Sequence, residues 1–110
     1  MDKVIRNGKV AILYSPGFGA GWSTWNDSNK DFLLFDPDIV AAVQDGNRQL
    51  AADLAEKKGK EFFGEDDYTC VLGARDLKIK WVEQGEAFEI TEYDGSEQLN
   101  IVSHMHYKVA

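Results

Sequence analysis

The chain has 110 residues, 44% of them apolar and 12% aromatic, a balance that suits one folded domain spanning 1–110 and excludes a chain disordered by composition. Twelve Lys and Arg stand against 19 Asp and Glu, a formal charge of −7; this argues against non-specific grip on a nucleic-acid backbone, which needs clustered cations to displace counterions. With Cys70 as its one cysteine, the chain has no intrachain disulfide and no thiolate metal cluster.

In chain order, Lys9–Tyr14 reads as a strand, β-branched and aliphatic, entered through an Asn7-Gly8 turn. Pro16, which has no amide donor, ends it. The segment from Ser15 to Trp25, SPGFGAGWSTW, holds three glycines and two tryptophans. It has neither helical nor two-residue period, so it reads as loop continuing through Asn29. Asp36-Pro37-Asp38 is a helix start: a capping Asp, a Pro suited to the first helical position, and an acid at the positive end. That helix is predicted to run through Ile39, Val40 and Val43 to about Asp45, with Gly46 as its stop. A second begins near Asn47, sets Leu50 and Leu54 on one face beside Ala51 and Ala55, and is expected to close at Gly59 after Lys57 and Lys58.

Gly64-Glu-Asp-Asp67 reads as an acidic turn, and Cys70 as a small core residue. Leu77, Ile79 and Trp81 alternate with Lys78, Lys80 and Val82, which predicts a half-buried strand. Gln84-Gly85 makes a turn, Phe88 and Ile90 alternate in a further strand, and Asp94-Gly95 is a strong hairpin signal before Leu99 and Ile101. The expected class is α+β: an antiparallel sheet, made of the N-terminal strand plus a C-terminal meander, covered by two helices. The sequence shows neither an apolar span of membrane length nor a signal-peptide pattern, which reads as a cytoplasmic protein with no membrane partner.

Two phosphate-binding motifs fail in the glycine-rich loop. A P-loop needs a lysine where this chain has Trp22-Ser23-Thr24, and the dinucleotide fingerprint does not fit Gly17, Gly19 and Gly21. What remains is a set of open backbone amides, around Ser15 and the three glycines, that suits an anion nest. Phe18, Trp22 and Trp25 offer flat rings for stacking, and Ser23 and Thr24 offer polar contacts. Arg75 and Tyr93 complete the candidate ligand-binding set. The competing reading makes the same segment a tight corner with its tryptophans packed in the core.

Glu92, Asp94 and Glu97 surround the last turn and read as acid–base groups, as holders of a divalent cation or as a solvated hairpin tip. Arg75, Lys78 and Lys80 either face an anion or line the outer face of a strand opposite Glu89 and Thr91. His104 and His106 share a strand face, but no third ligand accompanies them, so no metal is assigned. No catalytic residue and no cofactor are assigned either.

Three segments, KVAILYSPGFGAGWSTWN at 9–26, LLFDPDIVAAV at 33–43 and WVEQGEAFEITEYDGSE at 81–97, resemble a family of small uncharacterised proteins from tailed phages and prophages. The likeness spans about half the chain. It implies a setting, an accessory protein that interferes with a host enzyme or antiviral defence in the host cytoplasm, and no particular chemistry. The leading expectation is therefore a binding module that sequesters a small nucleotide-like ligand. A second is an acidic inhibitor of a host protein's basic surface, working through Glu65-Asp66-Asp67 and the Asp94 turn. A third is a small enzyme using Glu92, Asp94 or Glu97. An antiparallel edge and exposed aromatics also point to a homo-oligomer.

Overall fold

The structure is a computed structural model and describes residues 2–17, 21–25, 30–63 and 74–102. Its centre is a strand whose side chains are covered on both faces. Strand β2 (Lys9–Tyr14) follows a two-residue strand β1 (Ile5–Arg6), and Val10, Ala11, Ile12 and Leu13 are all buried. The link between β1 and β2 is Asn7 at φ 53° and Gly8 at φ 77°, the paired left-handed conformation that Asn-Gly supplies and that matches strand twist. Strand β3 (Lys78–Glu83) pairs antiparallel along the other edge of β2, from Lys9↔Glu83 to Tyr14↔Lys78. The sheet order is β1-β2-β3.

Alternation along β2 sends Ala11 and Leu13 to one face and Val10 and Ile12 to the other. The first face is covered by helices α1 (Lys30–Phe35), α2 (Pro37–Gln44) and α3 (Arg48–Phe63), through Phe32, Leu33, Ile39, Val40, Ala51 and Ala55. Helix α1 has no counterpart in the sequence reading. It stays separate from α2 because a residue before proline is pushed out of helical conformation. Asp36 accordingly sits at φ −52°, ψ 118°, and its Oδ2 accepts the Ile39 amide at 3.0 Å, the cap that the sequence predicts. Helix α2 gives way at Asp45, before Gly46 at φ 70°.

Asn47 opens α3 by accepting the Leu50 amide at 3.1 Å. The helix then departs from expectation. It runs through Gly59 to Phe63, and Gly59 is buried within it. Ala51, Ala55 and Gly59 recur every four residues, so they make a stripe of small side chains on the packed face. That stripe packs on the core together with the half-buried Leu54, whereas Leu50 is left 43% exposed. Beyond Gly59, Phe62 stacks on Phe32 with ring centroids 4.7 Å apart.

Strands β4 (Phe88–Tyr93) and β5 (Ser96–Ile101) form a hairpin through Asp94 (φ 52°) and Gly95 (φ 85°). They make a second, two-stranded antiparallel sheet, so the three C-terminal strands do not form one continuous meander. The reason is the second face of β2. Phe88 and Ile90 on β4, with Ile101 and Leu99 opposite them on β5, lie against Val10, Ile12 and Val82; a hairpin extending the first sheet edge to edge would leave that apolar face in water. Lys78 and Lys80 consequently stand opposite Tyr14 and Ile12. Glu89 and Thr91, expected to face those lysines, pair instead with Asn100 and Gln98. The class is α+β with antiparallel sheets, and no helix among the described residues is long and apolar enough to cross a membrane.

Candidate functional site

Glu97 sits on the inner face of the hairpin. Counting back by twos from Ile101 and Leu99 places its side chain on that face, and the residue is 2% exposed. Its carboxylate takes hydrogen bonds from the glycine-rich loop. Oε1 accepts the Ser15 amide at 2.9 Å. Oε2 accepts the Trp22 amide at 3.0 Å, the Thr24 amide at 2.9 Å and the Thr24 hydroxyl at 2.7 Å. Two more bonds fasten hairpin to loop: the Glu97 amide donates to the Ser15 carbonyl at 2.8 Å, and the Ser96 hydroxyl to the Pro16 carbonyl at 2.6 Å. A buried charge is tolerable only with such a set of donors. Amides of the glycine-rich segment do converge on an anion, but the donors are Ser15, Trp22 and Thr24 rather than the glycines, and the anion is part of the chain.

Trp22 is fully buried in the helix-side core and meets Phe32 with ring centroids 6.3 Å apart. Its indole N–H donates to the Leu33 carbonyl, so the ring's one polar atom is satisfied inside the protein. Ser15 and Ser23 are buried as well, at 0% and 3% exposure. Gly21 is buried, and Ser23–Trp25 form a single 3-10 turn. Lys30 of α1 donates to the Ser23 carbonyl at 2.9 Å. The described part of the loop is thus a corner packed on the core and tied to the hairpin. Phe18 and Gly19 lie outside the described residues, as do Glu65–Asp67, Cys70, His104 and His106.

Beside this corner lies a cleft of about 730 Å³. One wall is Pro16 and Gly17, where the loop leaves the corner. A second is the α2–α3 turn with Val43, Gly46, Arg48 and Ala51, and the third is the chain from Ala74 to Ile79. Ala51, Ala74 and Leu77 are buried and give the cleft apolar surface. Arg48, Arg75 and Lys78 bring three cations to it, Asp76 one carboxylate. Among the described residues none of these three cations forms an ion pair; the pairs made there are those of Lys58 with Asp36 and Asp38 and of Lys60 with Glu56. Gly17 and Asp76 approach closely: a Cβ on residue 17 would lie 2.3 Å from Asp76 Oδ2, so a larger residue there would displace the Asp76 side chain.

Of the sequence-predicted ligand residues, the structure brings Gly17 and Arg75 to one cleft and commits Ser15, Trp22, Ser23 and Thr24 to the corner. Tyr93 is 80% exposed on the hairpin and does not line the cleft. Sequence reasoning missed Arg48, and gave Asp76, the neighbour of Arg75, no role of its own. Arg48 reads as an ordinary first-turn helix residue, and nothing local in the sequence foretells that α3 begins opposite residues 74–79. It also read Glu97 as a group at a hairpin tip, although the same period-two count that turns Leu99 and Ile101 inward turns Glu97 with them. Glu92 is occupied too, with Oε2 accepting the Gly95 amide at 2.9 Å.

Lys58 shows how a cation is treated where a partner exists. It reaches Asp36 at 2.9 Å and Asp38 at 2.6 Å from the first turn of α2. Burial pulls its pKa down, but the hydrogen bonds to Asp38 and Asp36 and their negative charges outweigh that, and the net result is above the usual 10.5. The described residues contain no group of three or more His, Cys, Asp or Glu placed to hold a metal ion. Set against family models, curated proteins and solved structures, the chain matches none.

Proposed function

We propose that the protein is a binding module that holds a small anionic, nucleotide-like ligand in the cleft between Gly17, Arg48 and Lys78, and acts by sequestering it. One observation supports this above all: in a chain of charge −7, three cations line one cleft and find no carboxylate partner among the described residues. Cations left unpaired beside apolar surface suit a ligand with a negative group and a less polar body. The volume falls within the range of roughly 300–1,000 Å³ common to small-molecule sites. Sequestration needs affinity alone, and Glu92 and Glu97 accept hydrogen bonds within the hairpin and the corner and do not line the cleft. In the setting that the resemblance to tailed-phage proteins implies, the ligand would be a nucleotide-derived signal of the host, and its capture would blunt host defence.

The test is to purify the protein gently, denature it by heat, and analyse the released small molecules by mass spectrometry. A stoichiometric phosphate-bearing compound from the wild type, absent from an Arg48→Glu/Arg75→Glu variant that still folds, is the expected result. Equal recovery from both proteins would remove the cleft from consideration.

A further inference from the structure

We infer that Asp76 is the specificity-determining residue of this cleft, selecting ligands that carry hydroxyl or N–H donors as well as an anion, and so nucleotides over inorganic polyphosphate. The inference rests on the cleft being an anion site, as proposed above. Its own starting point is the contact between Asp76 and Gly17. A Cβ on residue 17 would fall 2.3 Å from Asp76 Oδ2, 2.6 Å from Cγ and 2.9 Å from Cβ. The Asp76 side chain therefore lies against the bare backbone of Gly17, in a position that a Cβ at 17 would displace.

A carboxylate at that position is costly for simple anion capture, because it repels what Arg48, Arg75 and Lys78 attract. It also makes no ion pair with any of the three among the described residues, so it does not serve to neutralise them. Ionised, it offers acceptors and no donor. A ligand made only of phosphate offers the carboxylate no sugar hydroxyl or base N–H, and its negative charge is repelled there. A nucleotide places its phosphates with the cations and offers sugar hydroxyls or base N–H groups to the carboxylate. Such a site favours the ligand that carries the donor, since only that ligand gains a hydrogen bond to set against the repulsion.

Calorimetric titration of the full-length protein with ADP and with inorganic pyrophosphate, at matched ionic strength, tests the inference. The wild type is expected to bind ADP more tightly than pyrophosphate. Asp76→Ala and Asp76→Asn should weaken ADP and tighten pyrophosphate, lowering the ratio of affinities by about tenfold or more, the size of one hydrogen bond to a charged group. Gly17→Ala, which displaces Asp76 without altering a charge, should move the ratio the same way. A wild type that prefers pyrophosphate, or Asp76 variants that change both ligands by one factor, overturns the role of Asp76 while the cleft stands as an anion site. Binding of neither probe overturns the cleft reading itself, and this inference with it.

Discussion

Two neighbouring regions of this molecule are prepared for negative charge, and they treat it in opposite ways. In the corner, the amides of Ser15, Trp22 and Thr24 converge on a carboxylate that the chain supplies itself, Glu97; Ser15, Trp22 and Glu97 are buried and Thr24 half-buried. In the cleft, one or two residues along the same loop, Arg48, Arg75 and Lys78 line an open space with no acidic partner among the described residues. The difference separates structure from site. A buried polar set must be satisfied within the fold, because each unmet donor costs about 1–3 kcal/mol. Exposed cations carry no such obligation, since water solvates them, so cations gathered without partners are free to serve a ligand. A glycine-rich loop is therefore no guide to ligand binding until its amides have been accounted for.

The largest expected effect lies in the corner. Glu97→Ala would leave three amides and a hydroxyl facing one another with no acceptor. Each buried donor left unmet costs about 1–3 kcal/mol, so the urea midpoint should fall by a large part of the total stability of a domain this size. Glu97→Gln keeps the shape and one acceptor oxygen but turns an NH₂ toward donors, and should recover only a minor share. A loss below about 1 kcal/mol, within the range of an ordinary hydrogen bond, would mean that water replaces the carboxylate and that the corner is open after all.

Lys58 sharpens the comparison from the cation side, because it has what the cleft cations lack. Its folded pKa is raised above 10.5, so its stabilisation is fully present below the usual lysine value and is lost as pH rises through the higher folded value. Lys58→Met should cost about 1.5–3 kcal/mol near neutrality, the range for hydrogen bonds to charged groups, partly because Asp36 is left at 2% exposure without its cation. The gap between wild type and variant, read from urea midpoints at a series of pH values, should hold steady through the neutral and mildly alkaline range and close above about pH 10.5. A gap that closes below pH 9 would place the stabilisation on some other group.

How much of this was legible beforehand follows the range over which each signal acts. The Asn7-Gly8 and Asp94-Gly95 turns, the Asp36-Pro37 cap and the strand β2 were readable because turn chemistry, capping and periodicity are decided within a few residues. The pairing of β3 with β2 was not, because both β4 and β2 were eligible neighbours, and the choice depended on which face of β2 still needed cover. Gly59 misled for a related reason. A glycine late in a helical pattern usually marks its end, yet here it continues the small-residue stripe of Ala51 and Ala55 and is buried within the helix. The cleft was half visible: Arg75 and Lys78 stand out as cations in an acidic chain, whereas Arg48 and Asp76 acquire meaning only when α3 and residues 74–79 meet.

The smallest expected effect on stability is the most informative about function. Arg48→Ala and Arg75→Ala remove exposed cations that hold nothing in the described structure, so each should change the unfolding free energy by no more than about 0.5 kcal/mol, as surface substitutions usually do. Their consequence should appear only with an anion present. Pyrophosphate at a concentration well above its Kd raises the melting temperature of a protein that binds it in the folded state, by an amount set by RT ln(1 + [L]/Kd). Measured against sodium chloride of equal ionic strength, that rise should occur in the wild type, shrink in each single variant and vanish in the double. If either arginine proves to carry stability comparable to Glu97, the cations belong to the structure as the carboxylate does, and the contrast between corner and cleft disappears. If the double variant still melts higher in pyrophosphate, the anion is bound elsewhere and Arg48 and Arg75 are solvated surface.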